Sequence, residues 1–240
     1  MTDSADPLKK PKRFYKTVDV APGDGGFEVR LDGRKPRSPR GKLLAAPTAA
    51  LAELIAAEWA AQGDEIRQEK MPATRLAHTA LDGVAAAREA TAQVVADYME
   101  TDLVCYFAEY PDSLARRQAE GWGPLLDWAR AELGLELARA SGIVPRAQPA
   151  ESLARARALA LELDDFALAG LAFGVGLLGS AVLAFALARG RLSGAEAFAL
   201  SRLDEDFQEG RWGVDAEAAS RTARMAADAD MLERWFAALG

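Results

Sequence analysis

Asp204, Glu205, Asp206, Glu209, Asp215 and Glu217 share residues 203–217 with Arg211, Gln208, Phe207 and Trp212. Acids in such density can act as general acid and base, or bind a divalent ion. Set among aromatics on a surface, they can instead dock a basic partner. The stretch is too acidic for a core element and too aromatic for a linker. It therefore reads as a carboxylate active site or as a docking surface for a protein.

The rest of the chain narrows the choice. There is one histidine, His78, and one cysteine, Cys105. A Ser-His-Asp centre would need His78 as its base, and the short stretch Thr74–Thr79 holds no second ligand at metal spacing. His78 reads as a surface or interhelical residue. A di-metal carboxylate site would call for Glu-x-x-His motifs on neighbouring helices, and the sequence has none. A lone-acid hydrolase acting through Glu205 and Asp204 stays open, without a companion nucleophile. Gly174, Gly176 and Gly179 match G-x-G-x-x-G, but helical sequence flanks them on both sides, so the dinucleotide reading lacks its strand. No Walker-type loop occurs. Cys105 alone excludes an internal disulfide and fits a reducing compartment.

Helices must position most of these groups. On a helix over 194–209, Ala199, Leu203 and Phe207 form a stripe that holds the helix to the core. Glu205 then points roughly 160° away from Phe207. Gln208 and Ser201 lie nearer the stripe. This outward aim favours docking over catalysis. Trp122, Pro124 and Trp128 read as packing or a loop anchor rather than a sticky surface.

The elements before them differ in kind. Phe27, Val29 and Leu31 alternate with Glu28, Arg30 and Asp32, the period of a half-buried strand. Turn signals stand at Pro22–Gly26 and Asp32-Gly33. Thr48 caps a helix that runs to Gly63, and 64–70 reads as one more strand. From Pro72 the pattern is helical: 73–81, 85–108, 113–133 with an irregular patch at 121–124, a linker at 145–149, then 150–163, 166–188, 194–209 and 215–238. The fold class is α+β, with a small β-rich N-terminal domain carrying one helix (1–72) and a larger all-helical C-terminal domain (73–240).

Residues 166–188 carry no charge and as one helix would span roughly 34 Å, enough for a bilayer. Twelve of the 23 are Ala, Gly or Ser, which favours a buried central helix, or two pieces broken near Gly176–Gly179. Net charge is −7, yet residues 9–42 hold eleven Lys/Arg against four Asp/Glu. A basic head and an acidic body can grip partners of opposite sign. No nucleic-acid motif accompanies the basic residues. Met1–Pro7 lacks the apolar core of a signal peptide, which suits a cytoplasmic protein.

Several motifs in order resemble one family, the assembly chaperones for the alpha subunit of the F-type ATP synthase catalytic sector. They are Lys12–Lys16, Leu31–Arg34, Leu51 through Gln62, Met71–Leu76, Tyr98–Tyr106, Gln118 with Trp122, Pro124 and Trp128, Gly179-Ser180, and Asp204-Glu205, Phe207-Gln208, Trp212-Gly213, Asp215 and Glu217-Ala218. Phe107 departs from an expected arginine, and His78 from a commoner asparagine. The resemblance implies a β-containing N-terminal domain, a helical C-terminal domain, no enzymatic activity and no cofactor or metal. It implies a protein that holds the alpha subunit until the beta subunit replaces it. The family occurs in mitochondria and in alphaproteobacteria, and the lack of a transit peptide fits a bacterial cytoplasm over a mitochondrial precursor. The free chain is expected to be monomeric, without nucleic acid or membrane insertion. The partner-binding residues would be Glu205, Asp204, Gln208, Trp212 and Asp215.

Overall fold

Alternation and tight turns shape the first elements of the computed structural model, which describes residues 11–142, 146–213 and 215–240. Strand β1 (Val18–Gly23) pairs antiparallel with β2 (Gly26–Leu31), in register from Val18↔Leu31 to Gly23↔Gly26. A two-residue strand β3 (Ala45–Ala46) pairs antiparallel with the other edge of β2. Val29 and Leu31 face the core as the alternation requires. Glu28 does not face solvent, contrary to expectation. It is 2% exposed, and Lys35 and Arg30 neutralise it at 2.9 and 3.1 Å. Asp32 (φ 48°) and Gly33 (φ 75°) make the expected two-residue turn, closed by the Leu31↔Arg34 bridge.

Helix α1 (Ala49–Ala60) starts where Thr48 Oγ1 accepts from Leu51 N at 3.1 Å, and it buries Leu51 and Ile55 against β1 and β2. Residues 64–70 form no extended strand. They make one bridge, Glu65↔Lys12, and a 3-10 turn at Gln68–Lys70. Only Ile66 is apolar and buried there, too little to fasten a strand to the core.

Helices α2 (Pro72–Asp82) and α3 (Arg88–Glu100) follow. The helix expected over 85–108 stops at Glu100. Asp102 caps a short 3-10 turn, Leu103–Cys105, and Tyr106–Phe107 (β4) pairs parallel with Ala140–Ser141 (β5). An aspartate that bonds the backbone two residues ahead competes with helix continuation. The irregular patch expected at 121–124 is regular helix instead. Helix α4 (Asp112–Trp128) passes through Pro124, runs on as a π turn to Leu133 and ends at Gly134 in the left-handed region. The buried Trp122, Leu125 and Leu126 anchor it across the bond that proline removes. The expected linker at 145–149 begins outside the described residues.

Helix α5 (Ala150–Leu161) precedes the uncharged run, which divides as one of its two readings had it. Helix α6 (Asp165–Leu178) ends at Gly179, φ 63°, and α7 (Ala181–Ala188) restarts on the Ser180 cap. Residues 181–187 are all buried, with α3, α4, α6, an eight-residue helix α8 (Gly194–Ser201) and a C-terminal helix α10 (Ala216–Leu239) packed around them. Among the described residues no helix is long and apolar enough to cross a membrane. Close backbone approach builds this core. A Cβ at Gly194 would lie 2.4 Å from Ala229 O. Trp235 donates its Nε1–H to Phe166 O at 3.1 Å and stacks on the Phe166 ring. Thr48 Oγ1 meets Ala238 O at 2.5 Å, so α1 also rests on α10.

Candidate functional site

Local chemistry splits the helix expected over 194–209. Ser193 and Glu196 form a capping box at the start of α8. At its end Ser201 Oγ donates back to Phe198 O at 2.8 Å, and Arg202 leaves the helical region at φ −111°, ψ 14°. A second helix, α9 (Leu203–Trp212), starts at once. Asp204, Glu205 and Asp206 fill its first turn and Arg211 its last, so the charges complement the helix dipole at both ends. Part of the acidity that marks this segment is therefore structural.

The acids divide by partner. Gln118 Nε2 donates to Asp204 Oδ1 at 2.7 Å, while Gln118 Oε1 accepts from Ala108 N at 2.7 Å. Asp204 is thus half-buried and tied to α4. Arg202 holds Glu209 at 2.6 Å and lies 3.4 Å from Asp206. Asp215 caps α10 through Ala218 N. Glu205 and Gln208 stand exposed, and among the described residues the Glu205 carboxylate has no hydrogen-bond or ion-pair partner. Trp212 closes α9, and its side chain lies outside the described residues.

Of the expected stripe Ala199, Leu203 and Phe207, only Leu203 meets the core, and Ala199 is exposed. Leu203 packs on the core beside Gly121 of α4, where an added Cβ would come within 3.3 Å of it. Phe207 does not reach the core. The break at Arg202 turns it outward, between the guanidiniums of Arg117 (5.5 Å) and Arg211 (4.4 Å). The Arg117 contact, together with Trp122 Nε1–H on Leu200 O at 3.0 Å, seats the α8–α9 elbow on α4, while Arg211 braces Phe207 from within α9. The outcome is a helix presenting Glu205 and Gln208 to solvent, with its other acids restrained.

Besides Glu28, sequence reasoning missed two structural acids, one fully buried and one half-buried. Asp102 is fully buried; its Oδ1 accepts from Val104 N at 3.2 Å and its Oδ2 from Val182 N at 3.0 Å. It clamps the end of α3 to the start of α7. Burial pushes its pKa up to about 6, against the lowering effect of Ser180 and the backbone N–H groups. An aspartate directly before the apolar run Leu103–Tyr106 was the available signal. Glu58 caps α2 from α1, accepting from Ala73 N (2.7 Å), Thr74 N (2.8 Å) and Thr74 Oγ1 (2.7 Å). Burial raises its pKa, opposed by those Thr74 and Ala73 bonds. Pro72 at N1 behind Met71, which offers no side-chain cap, hinted that the cap must come from elsewhere.

Comparison with known proteins adds a history to this geometry. Residues 12–130 match the family model described as ATP12 chaperone protein. The mitochondrial protein atp12 of Schizosaccharomyces pombe is 30% identical over 226 residues, covering 88% of this chain and 78% of that one. The crystal structure of Atp12 from Paracoccus denitrificans matches with a TM-score of 0.89 and 41% identity, over 96% of this chain and 99% of that one. An Asp-to-Lys variant of the same Paracoccus protein matches at 0.90 and 40%, over 97% and 100%.

Proposed function

Since the chain belongs to the ATP12 chaperone family, whose members are chaperones and not enzymes, we propose that it is an ATP-independent chaperone for assembly of the F-type ATP synthase catalytic sector. Its client is the unassembled alpha subunit. It covers the apolar surface that the beta subunit later occupies, and it gives the client up when beta competes. An exposed apolar interface aggregates, and a binder that only masks it needs no nucleotide, only an affinity that the final partner exceeds. The hydrolase alternative is set aside with this assignment.

The observation that carries the reading at residue level is the free, outward Glu205 on a helix whose other acids are restrained. In this reading Glu205, Gln208 and Trp212 contact the client, Asp204 ties the start of α9 to α4, and Asp215 caps α10 beside them. The protein acts as a monomer in a bacterial cytoplasm, with the basic part of the chain ending near Pro72.

Glu205→Lys tests the site. The side chain is exposed, so the cost to folding is limited to an unfavourable charge at a helix N-terminus, about 0.3–1 kcal/mol. Co-purification of tagged protein with the alpha subunit should fall at least tenfold while the melting temperature barely moves. Undiminished co-purification by a folded Glu205→Lys protein would remove Glu205 from the interface.

A further inference from the structure

A second polar site lies between α1 and α2, apart from the acidic helix. A cavity of about 220 Å³ opens there, with Met71 and Pro39 as apolar wall and Arg37, Arg75, Trp59 and His78 among the residues that line it. Trp59 Nε1 and His78 Nε2 are both withdrawn from solvent, and neither has a hydrogen-bond partner among the described residues. A buried polar group left unpaired costs free energy, so two beside one cavity call for a ligand atom.

The chemistry of the lining names that atom. The Trp59 indole is a donor only. Burial depresses the His78 pKa, with Asp82 opposing, so the ring is neutral and one nitrogen can donate. The guanidiniums of Arg37 and Arg75 add donors; Arg37 spends one on Gly41 O at 2.6 Å. The neighbouring acids are engaged. Glu58 is bound to the start of α2, and Asp82 to Ser38 Oγ and Arg40 N. Asp228 on α10 faces Arg75 and offsets part of its charge. The donors that remain match an oxyanion. Pockets for whole small molecules run roughly 300–1,000 Å³; 220 Å³ suits one acidic side chain.

We propose that this cavity receives a glutamate or aspartate side chain of the client polypeptide, held by Trp59 Nε1–H, His78 Nε2, Arg37 and Arg75. The proposal rests on the chaperone reading for the identity of the polypeptide. Charge complementarity supports it: residues 9–42, which supply Arg37, hold eleven Lys/Arg against four Asp/Glu. The basic part would then take an acidic client residue while α9 takes a basic one, which fixes the client's orientation.

The test uses the full chain and two readouts. In the first, the indole and imidazole resonances are followed by NMR while N-acetyl-glutamate N-methylamide is added, with the glutamine analogue and inorganic phosphate as separate arms. Trp59 and His78 signals should shift with the glutamate compound alone, and Arg75→Glu should abolish the shift. No shift, or an equal shift with the glutamine analogue, overturns the site; a shift with phosphate alone overturns the polypeptide assignment. In the second, Trp59→Phe, which keeps the ring packed on Tyr15, should weaken client binding about tenfold, the loss of one hydrogen bond to a charged group. His78→Leu should do the same and His78→Asn should restore most of it. Equal binding by folded Trp59→Phe and wild type overturns the proposal. If wild type itself captures no client, the chaperone reading fails, and the NMR arm still decides the site.

Discussion

Asp102→Asn should make stability less dependent on pH, by an amount the structure sets. The side chain is fully buried between α3 and α7, and its carboxyl is raised from 3.8 to about 6. The folded protein therefore holds this proton more tightly than the unfolded chain does. The stabilisation is complete below the unfolded value and is lost as pH rises through the folded one. At about 1.4 kcal/mol per pH unit the whole loss is about 3 kcal/mol. Asparagine keeps the shape but cannot titrate. Its amide turns a donor toward one of the N–H groups at Val104 and Val182, a pH-independent cost of about 1 kcal/mol. Urea unfolding of both proteins, from about pH 4 to about pH 8, isolates the titrating part. The stability of the variant relative to wild type should improve by about 2–3 kcal/mol across that range. A difference that stays flat, or that worsens for the variant as pH rises, would show that the N–H donors outweigh burial at this carboxylate.

Other perturbations probe the scaffold around the two sites. Glu58→Ala leaves Ala73 N and Thr74 N without an acceptor inside a packed junction; a loss of about 2–4 kcal/mol in chemical denaturation is expected, and less than 1 would mean water replaces the cap. Gly194→Ala puts a methyl 2.4 Å from Ala229 O, which must push α8 off α10; the expected cost is about 1–3 kcal/mol, read as a lowered melting temperature. The Cys105 thiol is wholly buried and pushed up to about 12 by burial and by Asp102, so a thiol reagent at neutral pH should label it only as fast as the protein unfolds; rapid labelling of native protein would contradict that burial.

The legible parts of this fold were those with local causes. Alternation at Phe27, Val29 and Leu31, the Asp32-Gly33 turn and the Thr48 cap each act within a few residues, and each stands where the sequence puts it. The breaks at Glu100 and Arg202 were hidden. They arise from side chains bonding backbone in competition with the helix, at Asp102 and Ser201, inside runs whose apolar period continues. The candidate helix was legible as an acidic, aromatic surface. Its division of labour was not, because the partners that restrain Asp204, Glu209 and Phe207 come from Gln118, Arg202 and Arg117, two of them on a helix far earlier in the chain. The cavity beside Trp59 and His78 was out of reach for the same reason: its walls come from three separate stretches of chain.

In the proposed role this protein keeps an unassembled alpha subunit soluble. Purified protein and freshly diluted alpha subunit, mixed in equal amounts and followed by light scattering and then by sedimentation, test it most directly. The expected result is suppressed scattering without ATP, a soluble 1:1 complex, and dissociation of that complex when the beta subunit is added. Scattering that rises at the same rate with and without the protein, with the two sedimenting separately, would contradict it.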